Sequence, residues 1–446
     1  MGKLFGTDGV RGVANTELTA ELAYLLGRAA TALFGKEHER PVFIIGRDTR
    51  LSGQMLESAL AAGICSAGGQ VILLGVIPTP GVAYLVRHLK AQAGVVISAS
   101  HNPYPDNGIK FFAGNGYKLS DAIEEQLEQL VLSGEDTMPR PTGSGIGTVE
   151  FRHDLVNDYM KYAAQTVNSN FAGVKIVMDC ANGAAFEVGP AVFRRLGAEV
   201  IVIHDQPSGT NINDHCGSTH LEGLQAAVRE HQADIGLAYD GDADRCLAVD
   251  EQGEVVDGDQ IMVICALQLL RENRLPDKTL VTTVMSNIGL HQAIKKAGGK
   301  VLVTKVGDRY VLEAMLEKRL ALGGEQSGHI IFGEYATTGD GLLTSLHLVG
   351  SLRASGQKLS AMGQCMTRFP QVLVNVRVNT KQGWEENPVI ADVIQEGEKK
   401  LGETGRILVR PSGTEPLIRV MAEGPELSEL QRIVDEIAAT IRTEQA

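Results

Sequence analysis

A regular alternation of short apolar runs and amphipathic runs is what most constrains the fold of this 446-residue chain. In the first third, an amphipathic run from Glu21 to Phe34 precedes an apolar run from Pro41 to Ile45. A helical pattern from Gln54 to Ala67 then precedes two further apolar runs, and the second of these ends at Ser98. Strand and helix patterns at this spacing predict βαβ units with a largely parallel sheet. Functional residues of such sheets lie where the strands end.

The same pattern returns after a polar, glycine-rich stretch, SGEDTMPRPTGSGIGTVE, which is the best candidate for a linker. The tail differs, because the alternating residues of QVLVNVRVNT and a closing amphipathic helix from Leu427 to Arg442 are typical of an α+β domain. We therefore predict an α/β fold of three similar α/β domains with mixed, largely parallel sheets, plus a smaller C-terminal α+β domain. The predicted domains are 1–150, 151–254, 255–368 and 369–446.

Composition and charge exclude several classes of protein. A formal net charge of −13, without a run of Lys or Arg, argues against a nucleic-acid partner and against binding to anionic membranes. The six cysteines show no CxxC pairing, so neither a disulfide framework nor a zinc site is predicted. No apolar stretch reaches the length of a membrane helix, and the N-terminus lacks an apolar signal core. These features predict a cytoplasmic protein.

The segment AGVVISASHNPYPDNGIKFF places an apolar strand directly before Ser98 and Ser100 and breaks at Asn102 and Pro103. A strand that stops at a hydroxyl and turns sharply exposes that hydroxyl at the edge of the sheet. A plain strand exit with a polar turn is the alternative interpretation. A Ser/His hydrolase is less favoured, because His101 would not reach Ser100 without a bend and GxSxG is absent.

The segment ADIGLAYDGDADRCLAVD carries Asp240, Asp242 and Asp244 at alternate positions. Extended chain at this spacing brings three carboxylates to one side, where hard oxygen ligands suit magnesium. A calcium loop is one alternative, but Arg245 occupies its sixth position, where glycine is required. A solvated acidic turn is the other.

The tail contains RPSGTEP, in which Arg410, Ser412, Gly413 and Thr414 combine a cation, two hydroxyls and a flexible backbone. Such a loop aims several donors at one phosphate, and Arg419 on the following strand adds a second cation. A simple turn is the alternative.

Two more polar segments lie between these motifs. GGEQSGH offers Glu325, Ser327 and His329, and TKVGDRYV offers Lys305 and Arg309. An acceptor, a hydroxyl and an imidazole on a glycine-flanked turn suit sugar hydroxyls, and a capped loop is the alternative. Near the start, FGTDGVRG presents Thr7, Asp8 and Arg11, as ligand contacts or as turn residues.

Taken together, these strings resemble the α-D-phosphohexomutase superfamily over essentially the whole chain. SASHNP is similar to its phosphoserine loop, DGDADR to its metal loop, GEQSGH to its sugar loop and RPSGTEP to its phosphate loop. The resemblance implies four domains around a central cleft and a mutase that carries phosphate on Ser100. It also implies one Mg²⁺ per chain, held by the three aspartates together with an oxygen of the phosphoserine.

The resemblance further implies roles for individual residues. Glu325 and Ser327 would contact sugar hydroxyls, while Lys110 and Arg11 are candidates for proton transfer and charge stabilisation. His101, beside Ser100, is a third catalytic candidate. The implied substrate-binding set is Arg245, Lys305, Arg309, Glu325, Ser327, His329, Arg410, Ser412, Gly413, Thr414 and Arg419.

Further strings, FGTDGVRG, NGIKFF, CANGAA, VDGDQIM, KVGDRYVLE and TTGDG, are most similar to superfamily members that act on amino sugars. They imply interconversion of glucosamine 6-phosphate and glucosamine 1-phosphate, on the route to UDP-N-acetylglucosamine and cell wall, through a bisphosphorylated sugar that also serves as activator. A homodimer is expected from the same resemblance. The alternatives are a mutase of mannose or glucose phosphates, a phosphohydrolase with a phosphoserine intermediate, and a non-catalytic phosphate sensor.

Ala243 departs from the family pattern, because the metal loop there usually has glycine. We expect a methyl group to be tolerated in an outward position if the loop avoids positive φ.

Overall fold

The structure is a computed structural model that describes residues 4–6, 8–35, 38–133, 137–412 and 416–445. It divides into two compact units, which we describe separately. The larger unit comprises Met1–Val284 and Gly299–Cys365, and the smaller unit comprises Met285–Gly298 and Met366–Ala446.

The first part of the larger unit is built on a mixed sheet. Its elements are β1 (Phe5–Gly6), β2 (Gly9–Val13), α1 (Ala20–Phe34), β3 (Val42–Arg47), α2 (Gly53–Ser66), β4 (Gln70–Val76), α3 (Thr79–Leu89), β5 (Ala93–Ile97), β6 (Asp106–Ala113), α4 (Asp121–Leu132) and β7 (Val149–Phe151). The strand order is β1-β2-β6-β5-β3-β4-β7. Strands β5, β3, β4 and β7 run parallel, and β6 pairs antiparallel with both β5 and β2.

The second part repeats this plan. Its elements are α5 (Val156–Gln165), β8 (Lys175–Asp179), α6 (Ala185–Arg195), β9 (Glu199–Ile203), α7 (Glu222–His231), β10 (Ile235–Tyr239), β11 (Cys246–Asp250) and β12 (Val255–Val256). The order β12-β11-β10-β8-β9 joins three parallel strands, β10, β8 and β9, to the antiparallel β11 and β12.

The third part has a similar mixed sheet with four strands. Its elements are α8 (Gly258–Arg271), β13 (Thr279–Thr283), α9 (Ile288–Lys296, in the smaller unit), β14 (Lys300–Thr304), α10 (Asp308–Lys318), β15 (Leu322–Gly324), β16 (Ile330–Phe332), α11 (Gly341–Ser355) and α12 (Leu359–Gly363). The order is β14-β13-β15-β16, and only the β15–β16 pair is antiparallel.

The smaller unit contains a wholly antiparallel sheet and helices. Its remaining elements are β17 (Gln371–Arg377), α13 (Pro388–Leu401), β18 (Arg406–Pro411), β19 (Leu417–Glu423) and α14 (Leu427–Glu444). Strand β19 lies between β17 and β18, and Ile433, Val434 and Ile437 of α14 pack into its core. Asn387 begins α13 with a side chain that accepts from the N–H groups of Val389 and Ile390.

Local sequence explains these elements. Strand β5 (AGVVI) is buried at every position, as expected for a strand covered by helices on both faces. Helix α1 starts at Thr19, whose side chain accepts from Leu22 N–H, and α8 starts with a capping box of Asp257 and Gln260. Among the described residues, none of the helices is both long and apolar enough to cross a membrane.

The predicted fold class is confirmed, and the predicted helices near the start and end of the chain lie within two residues of the observed α1, α2 and α14. The antiparallel strands β2 and β6 of the first sheet were not predicted. Strand β6 begins with DNG, which is typical of a turn, and β2 was read as turn chemistry.

Candidate active site

Three equivalent turns carry the three motifs of the larger unit. Each connects the last parallel strand of a sheet to its antiparallel neighbour: residues 98–105 join β5 to β6, residues 240–245 join β10 to β11, and residues 325–329 join β15 to β16. The second and third turns touch directly, since Arg245 and His329 form an antiparallel bridge and Cys246 N–H donates to Gly328 O at 3.1 Å. The repeated hairpin therefore places all three motifs at corresponding positions of their sheets.

Ser100 lies in the first turn with a left-handed backbone (φ 53°) and 2% exposure. Its hydroxyl donates to Asp240 Oδ2 at 2.7 Å. His101 Nδ1 lies 3.2 Å from Ser100 Oγ, because the left-handed backbone of Ser100 supplies the bend that this contact requires. The contact between His101 and Ser100, which the sequence analysis made conditional on a bend, is therefore present. A non-glycine residue in this region is strained, and such strain clusters at functional sites.

The main chain around Ser100 is held by a buried arginine. Arg50 donates from Nη2 to Ser100 O at 2.9 Å and to Asn102 O at 2.8 Å, and it also donates to the carbonyl groups of Pro103 and Asp106. Asp48 pairs with Arg50 Nε at 2.9 Å. We did not single out Asp48 or Arg50 from the sequence. Their position directly after β3 was the available signal, because strand ends of this sheet meet at one edge.

A second loop supports the same turn. Asn213 Nδ2 donates to Ser100 O at 2.8 Å and to Asn102 O at 3.0 Å. A Cβ on Gly241 would lie 2.5 Å from Ser100 O, so only glycine permits the two turns to approach this closely. The Ser100 carbonyl is thus fixed from three directions.

The three aspartates form a compact cluster. Ligand oxygens of Asp240, Asp242 and Asp244 lie within 4.8 Å of one another, and their exposures are 1%, 0% and 6%. Asp242 Oδ2 accepts from Thr79 Oγ1 at 2.7 Å and from Lys110 Nζ at 3.0 Å. The Oδ1 atoms of Asp242 and Asp244 are buried and have no hydrogen-bond partner in the part of the chain that the structure describes. Buried carboxylate oxygens without donors fit a hard divalent cation, so this cluster suits Mg²⁺.

Electrostatics lead to the same conclusion. Burial, and then the neighbouring carboxylates Asp244 and Asp242, raise the pKa of Asp240 well above its ordinary value. Burial also acts on Asp244, but His329 beside it lowers the pKa of that carboxyl. Three buried carboxylates at this separation repel one another strongly unless a cation lies between them.

Lys110 is buried at 2% exposure between two acids. Its Nζ lies 3.0 Å from Asp242 Oδ2 and 3.0 Å from Asp8 Oδ2. Burial opposes the charge, but Asp242, Asp8 and Asp244 together raise the pKa of Lys110. The group is therefore an ammonium that supplies positive charge and is a poor proton acceptor.

The pKa values of the two histidines are shifted in opposite directions. Burial, helped by Arg245 and Arg11, lowers the pKa of His101 to about 4, so its imidazole is neutral near pH 7. Asp244, which lies 3.5 Å from Nδ1, raises the pKa of His329 against the effect of burial. His329 Nε2 lies 3.1 Å from Gly339 N.

The remaining candidates of the larger unit lie in different surroundings. Glu325 Oε1 accepts from Gly307 N–H at 2.9 Å, and Ser327 Oγ is buried without a hydrogen-bond partner. Arg11 is partly exposed and donates to Asp8. Lys305 is exposed above the ring of Tyr310, and Arg309 pairs with Asp121 and Glu313. Among the described residues, no hydrogen bond or ion pair joins Lys305 or Arg309 to the three turns.

Two candidate cations of the smaller unit face each other. Arg410 of β18 and Arg419 of β19 are paired in register, and burial and then Arg419 lower the pKa of Arg410. A like-charge cross-strand pair is costly, and a bound anion would relieve this cost. Ser412 is buried, and Lys381 Nζ donates to its carbonyl at 2.7 Å. Gly413 and Thr414 lie outside the described residues.

A second cluster of possible ligands, Asp179, His204 and Cys216, lies in the second sheet's loops. Asp179 accepts from the N–H groups of Ala181 and Gly217 at 2.9 and 3.0 Å, and it lies 3.0 Å from His204 Nδ1. These contacts explain why Asp179 is buried here, because its carboxylate supports the loops by accepting their N–H groups.

Ala243 is buried at 1% exposure and has φ 55°. The expectation of an outward residue that avoids positive φ was wrong. Ala243 O accepts from Gly341 N–H at 3.0 Å and Ala243 N–H donates to Asp240 O, so the tight turn fixes this conformation.

Comparison with known protein families covers most of the chain. Residues 2–138 match phosphoglucomutase/phosphomannomutase, alpha/beta/alpha domain I; residues 157–253 match domain II of the same family; residues 257–369 match domain III; and residues 373–440 match the C-terminal domain.

Individual proteins give the same picture. Phosphoglucosamine mutase of Symbiobacterium thermophilum is 57% identical over 446 residues, which is 100% of both chains. The crystal structure of a phosphoglucomutase/phosphomannomutase family protein from Burkholderia thailandensis matches with a TM-score of 0.82 and 26% identity, over 98% of this chain and 96% of that one. N-acetylphosphoglucosamine mutase of Aspergillus fumigatus, solved with GlcNAc-6P and magnesium, shares the fold at a TM-score of 0.71 and 19% identity, over 100% of this chain and 96% of that one.

Proposed function

The chain belongs to the phosphoglucomutase/phosphomannomutase family, and from this premise we propose that it interconverts glucosamine 6-phosphate and glucosamine 1-phosphate through a phosphorylated Ser100. The observation that carries the proposal is the 2.7 Å contact between Ser100 Oγ and Asp240 Oδ2, at the edge of three clustered carboxylates. Relatives that are 52–57% identical over 97–100% of this chain are named phosphoglucosamine mutase, which supports the choice of substrate.

Asp240, Asp242 and Asp244 are the residues that would hold Mg²⁺, and a phosphoryl oxygen on Ser100 would complete the site. A bound Mg²⁺ supplies charge that stabilises the transferring phosphoryl group. Asp242 Oδ1 and Asp244 Oδ1, which have no hydrogen-bond partner among the described residues, support this assignment.

The chain's own residues account for the rest of the transfer. Phosphoserine carries about two negative charges and the sugar phosphate about two more, so fixed cations must offset them. Lys110 is the buried ammonium nearest to the acidic turn, and Arg245 follows Asp244 directly. We assign Lys110 and Arg11 to charge stabilisation, because neither cation is a good proton acceptor.

In the first half of the reaction, the phosphorus–Oγ bond of phosphoserine breaks while a bond forms to the 1-hydroxyl oxygen of glucosamine 6-phosphate. The hydroxyl loses its proton, and Ser100 Oγ regains one, so the step is balanced. Asp240 and His101 are the groups that hold the Ser100 hydroxyl. The bisphosphorylated sugar then turns around, and its 6-phosphate returns to Ser100.

We propose that Glu325 and Ser327 contact sugar hydroxyls and that Arg410 and Arg419 grip the distal phosphate. The unsatisfied Ser327 hydroxyl and the facing arginines support these assignments.

One motif falls in each of the proposed domains 1–150, 151–254, 255–368 and 369–446. The six free cysteines support a reducing compartment, so we place the reaction in the cytoplasm. The homodimer and the bisphosphate activator stay predictions from the family resemblance.

The test is turnover of glucosamine 6-phosphate by the purified chain with Mg²⁺ and a trace of sugar bisphosphate, followed by phosphorus NMR. We expect glucosamine 1-phosphate to form without stoichiometric inorganic phosphate, and intact mass to show one phosphoryl group on the protein. Faster turnover of mannose or glucose phosphates would favour the alternative substrates. Release of inorganic phosphate in step with turnover would indicate a phosphohydrolase.

A further inference from the structure

A ring of paired polar side chains passes through residues outside the four motifs and is closed by the metal loop, which carries both Asp242 and Asp244. Starting at Asp242, it runs through Lys110, Asp8, Lys118, Asp308 and His329 and returns to Asp244. All members belong to the larger unit. The residue farthest from the metal loop in this ring is Lys118, which follows β6.

The first arc of the ring positions Lys110. Asp8 uses both carboxylate oxygens: Oδ2 lies 3.0 Å from Lys110 Nζ, and Oδ1 accepts from Lys118. Lys110 in turn lies 3.0 Å from Asp242 Oδ2. Arg11 also donates to Asp8 Oδ2, so Arg11 and Lys118 together fix the orientation of Asp8, and with it the position of the Lys110 ammonium.

The second arc positions His329. Lys118 Nζ also donates to Asp308 Oδ2, and the same oxygen lies 3.8 Å from His329 Nε2. His329 Nδ1 lies 3.5 Å from Asp244 Oδ2. Asp308 opens α10, so Lys118 links the first and third sheets of the larger unit at one point.

Replacing Lys118 by a neutral group has an electrostatic cost. Asp8 and Asp308 face the same ammonium, and without it two carboxylates would repel each other across the ring. The side chain of Lys118 is only 22% exposed, so water screens this repulsion weakly. Asp8 and Asp308 also raise the pKa of Lys118 against the effect of burial, which keeps the cation charged.

We propose that Lys118 is a positioning residue for phosphoryl transfer, which holds Lys110 and His329 against the metal loop by pairing with Asp8 and Asp308. The proposal rests on the proposed function. It differs from a simple domain-linking role, because it requires that the consequences of losing Lys118 reach Asp242 and Asp244.

The experiment compares Lys118→Met with Lys161→Met in the full chain. Met keeps most of the apolar stem, and Lys161 is an exposed lysine that also pairs with an aspartate, Asp158, at 3.0 Å. We expect Lys118→Met to lower kcat and Mg²⁺ affinity by about 10- to 100-fold, the usual effect of losing an outer support of a metal site. Lys161→Met should stay within about twofold of the wild type for both.

A second variant, Asp308→Asn, cuts the other arc. If the ring acts as a unit, the double variant Lys118→Met/Asp308→Asn loses little more kcat than either single variant. A folded Lys118→Met protein with kcat and calorimetric Mg²⁺ affinity within threefold of the wild type overturns the proposal, as do additive losses. If Lys118→Met does not fold, an Asp308→Asn variant with the kcat and Mg²⁺ affinity of the wild type overturns the proposal. An inactive wild type would contradict the proposed function. The role of Lys118 could still be tested in that case, because calorimetry measures Mg²⁺ affinity without turnover.

Discussion

Ser100 Oγ and Asp240 Oδ2 are joined by a 2.7 Å hydrogen bond, although 140 positions separate the two residues in the chain. The contact links the turn after β5 to the turn after β10. It places the hydroxyl that we propose as the phosphate carrier beside the carboxylates that would hold the metal.

The first prediction concerns this hydroxyl. Ser100→Ala should abolish mutase turnover, because no oxygen is left to form the phosphoserine, while the thermal midpoint changes little. Intact mass after incubation with sugar bisphosphate should show no added phosphoryl group. Ser58→Ala, which removes an exposed hydroxyl bonded within α2, is the control and should keep full activity. Substantial turnover by Ser100→Ala would exclude the covalent mechanism.

The second prediction concerns the metal. Asp242→Asn should weaken Mg²⁺ binding by about 10- to 100-fold in calorimetry, since it removes charge from an all-oxygen site and disturbs Lys110. Asp158→Asn, on an exposed face of α5, should bind Mg²⁺ as the wild type does. Excess chelator should stop wild-type turnover, and added Mg²⁺ should restore it. Turnover that continues in chelator would remove the metal from the mechanism.

The third prediction concerns the clamp on the phosphoserine turn. Arg50→Lys keeps a positive charge but loses the planar fork that serves four carbonyl groups. We expect a loss of about 1–3 kcal/mol in unfolding free energy and at least about a tenfold slower phosphorylation of Ser100. Arg47→Lys changes a neighbouring arginine whose partner is Glu57 and should have a small effect on phosphorylation. Equal rates for the two variants would contradict the role of Arg50.

The fourth prediction concerns backbone strain at Ala243. Its φ of 55° costs an alanine about 1–2 kcal/mol relative to glycine, and the greater freedom of glycine in the unfolded chain offsets part of this gain. Ala243→Gly should therefore raise the free energy of unfolding by about 0.5–1 kcal/mol in urea titration. Ala172→Gly, in an exposed loop, gives the reference effect of an alanine-to-glycine change. A destabilised Ala243→Gly would show that the methyl group's packing outweighs the strain.

The fifth prediction concerns pH. Burial raises the pKa of Asp340 to about 7, and Tyr159 donates to both of its oxygens at 3.0 Å. A carboxyl whose folded pKa exceeds its unfolded pKa stabilises the protein most at low pH, and this contribution is lost as the pH rises through 7. Asp340→Asn removes the titration and keeps an acceptor for Leu343 N–H. The unfolding free energy of the variant relative to the wild type should rise by about 2–3 kcal/mol between pH 5 and pH 8. A constant difference across this range would show that Asp340 titrates normally in the folded chain.

Much of the site followed from the sequence. Ser100 and the three aspartates were found because each motif follows a recognisable apolar strand, and the parallel-sheet pattern predicts where such strands end. Arg245 and His329 also lie at these turns. Lys305 and Arg309 were included through the family resemblance, and the structure places their side chains against Tyr310 and against Asp121 and Glu313.

Other residues could not be found this way. Thr79, Lys118 and Asn213 lie far along the chain from the groups they contact, and nothing in their local strings distinguishes them from ordinary loop and helix residues. The left-handed conformations of Ser100 and Ala243 were equally hidden, because both residue types usually avoid that region.

The sequence by itself determined the α/β class, the positions of most helices and parallel strands, and the chemical character of the turns, because periodic burial and turn chemistry are local properties. Only the tertiary structure decided which distant side chains meet at the carboxylate cluster, and it did so through the antiparallel hairpins that close each sheet. Strand register and turn conformation depend on the packing of the whole sheet. A contact such as Lys110–Asp242 therefore cannot be predicted from the sequence around either residue.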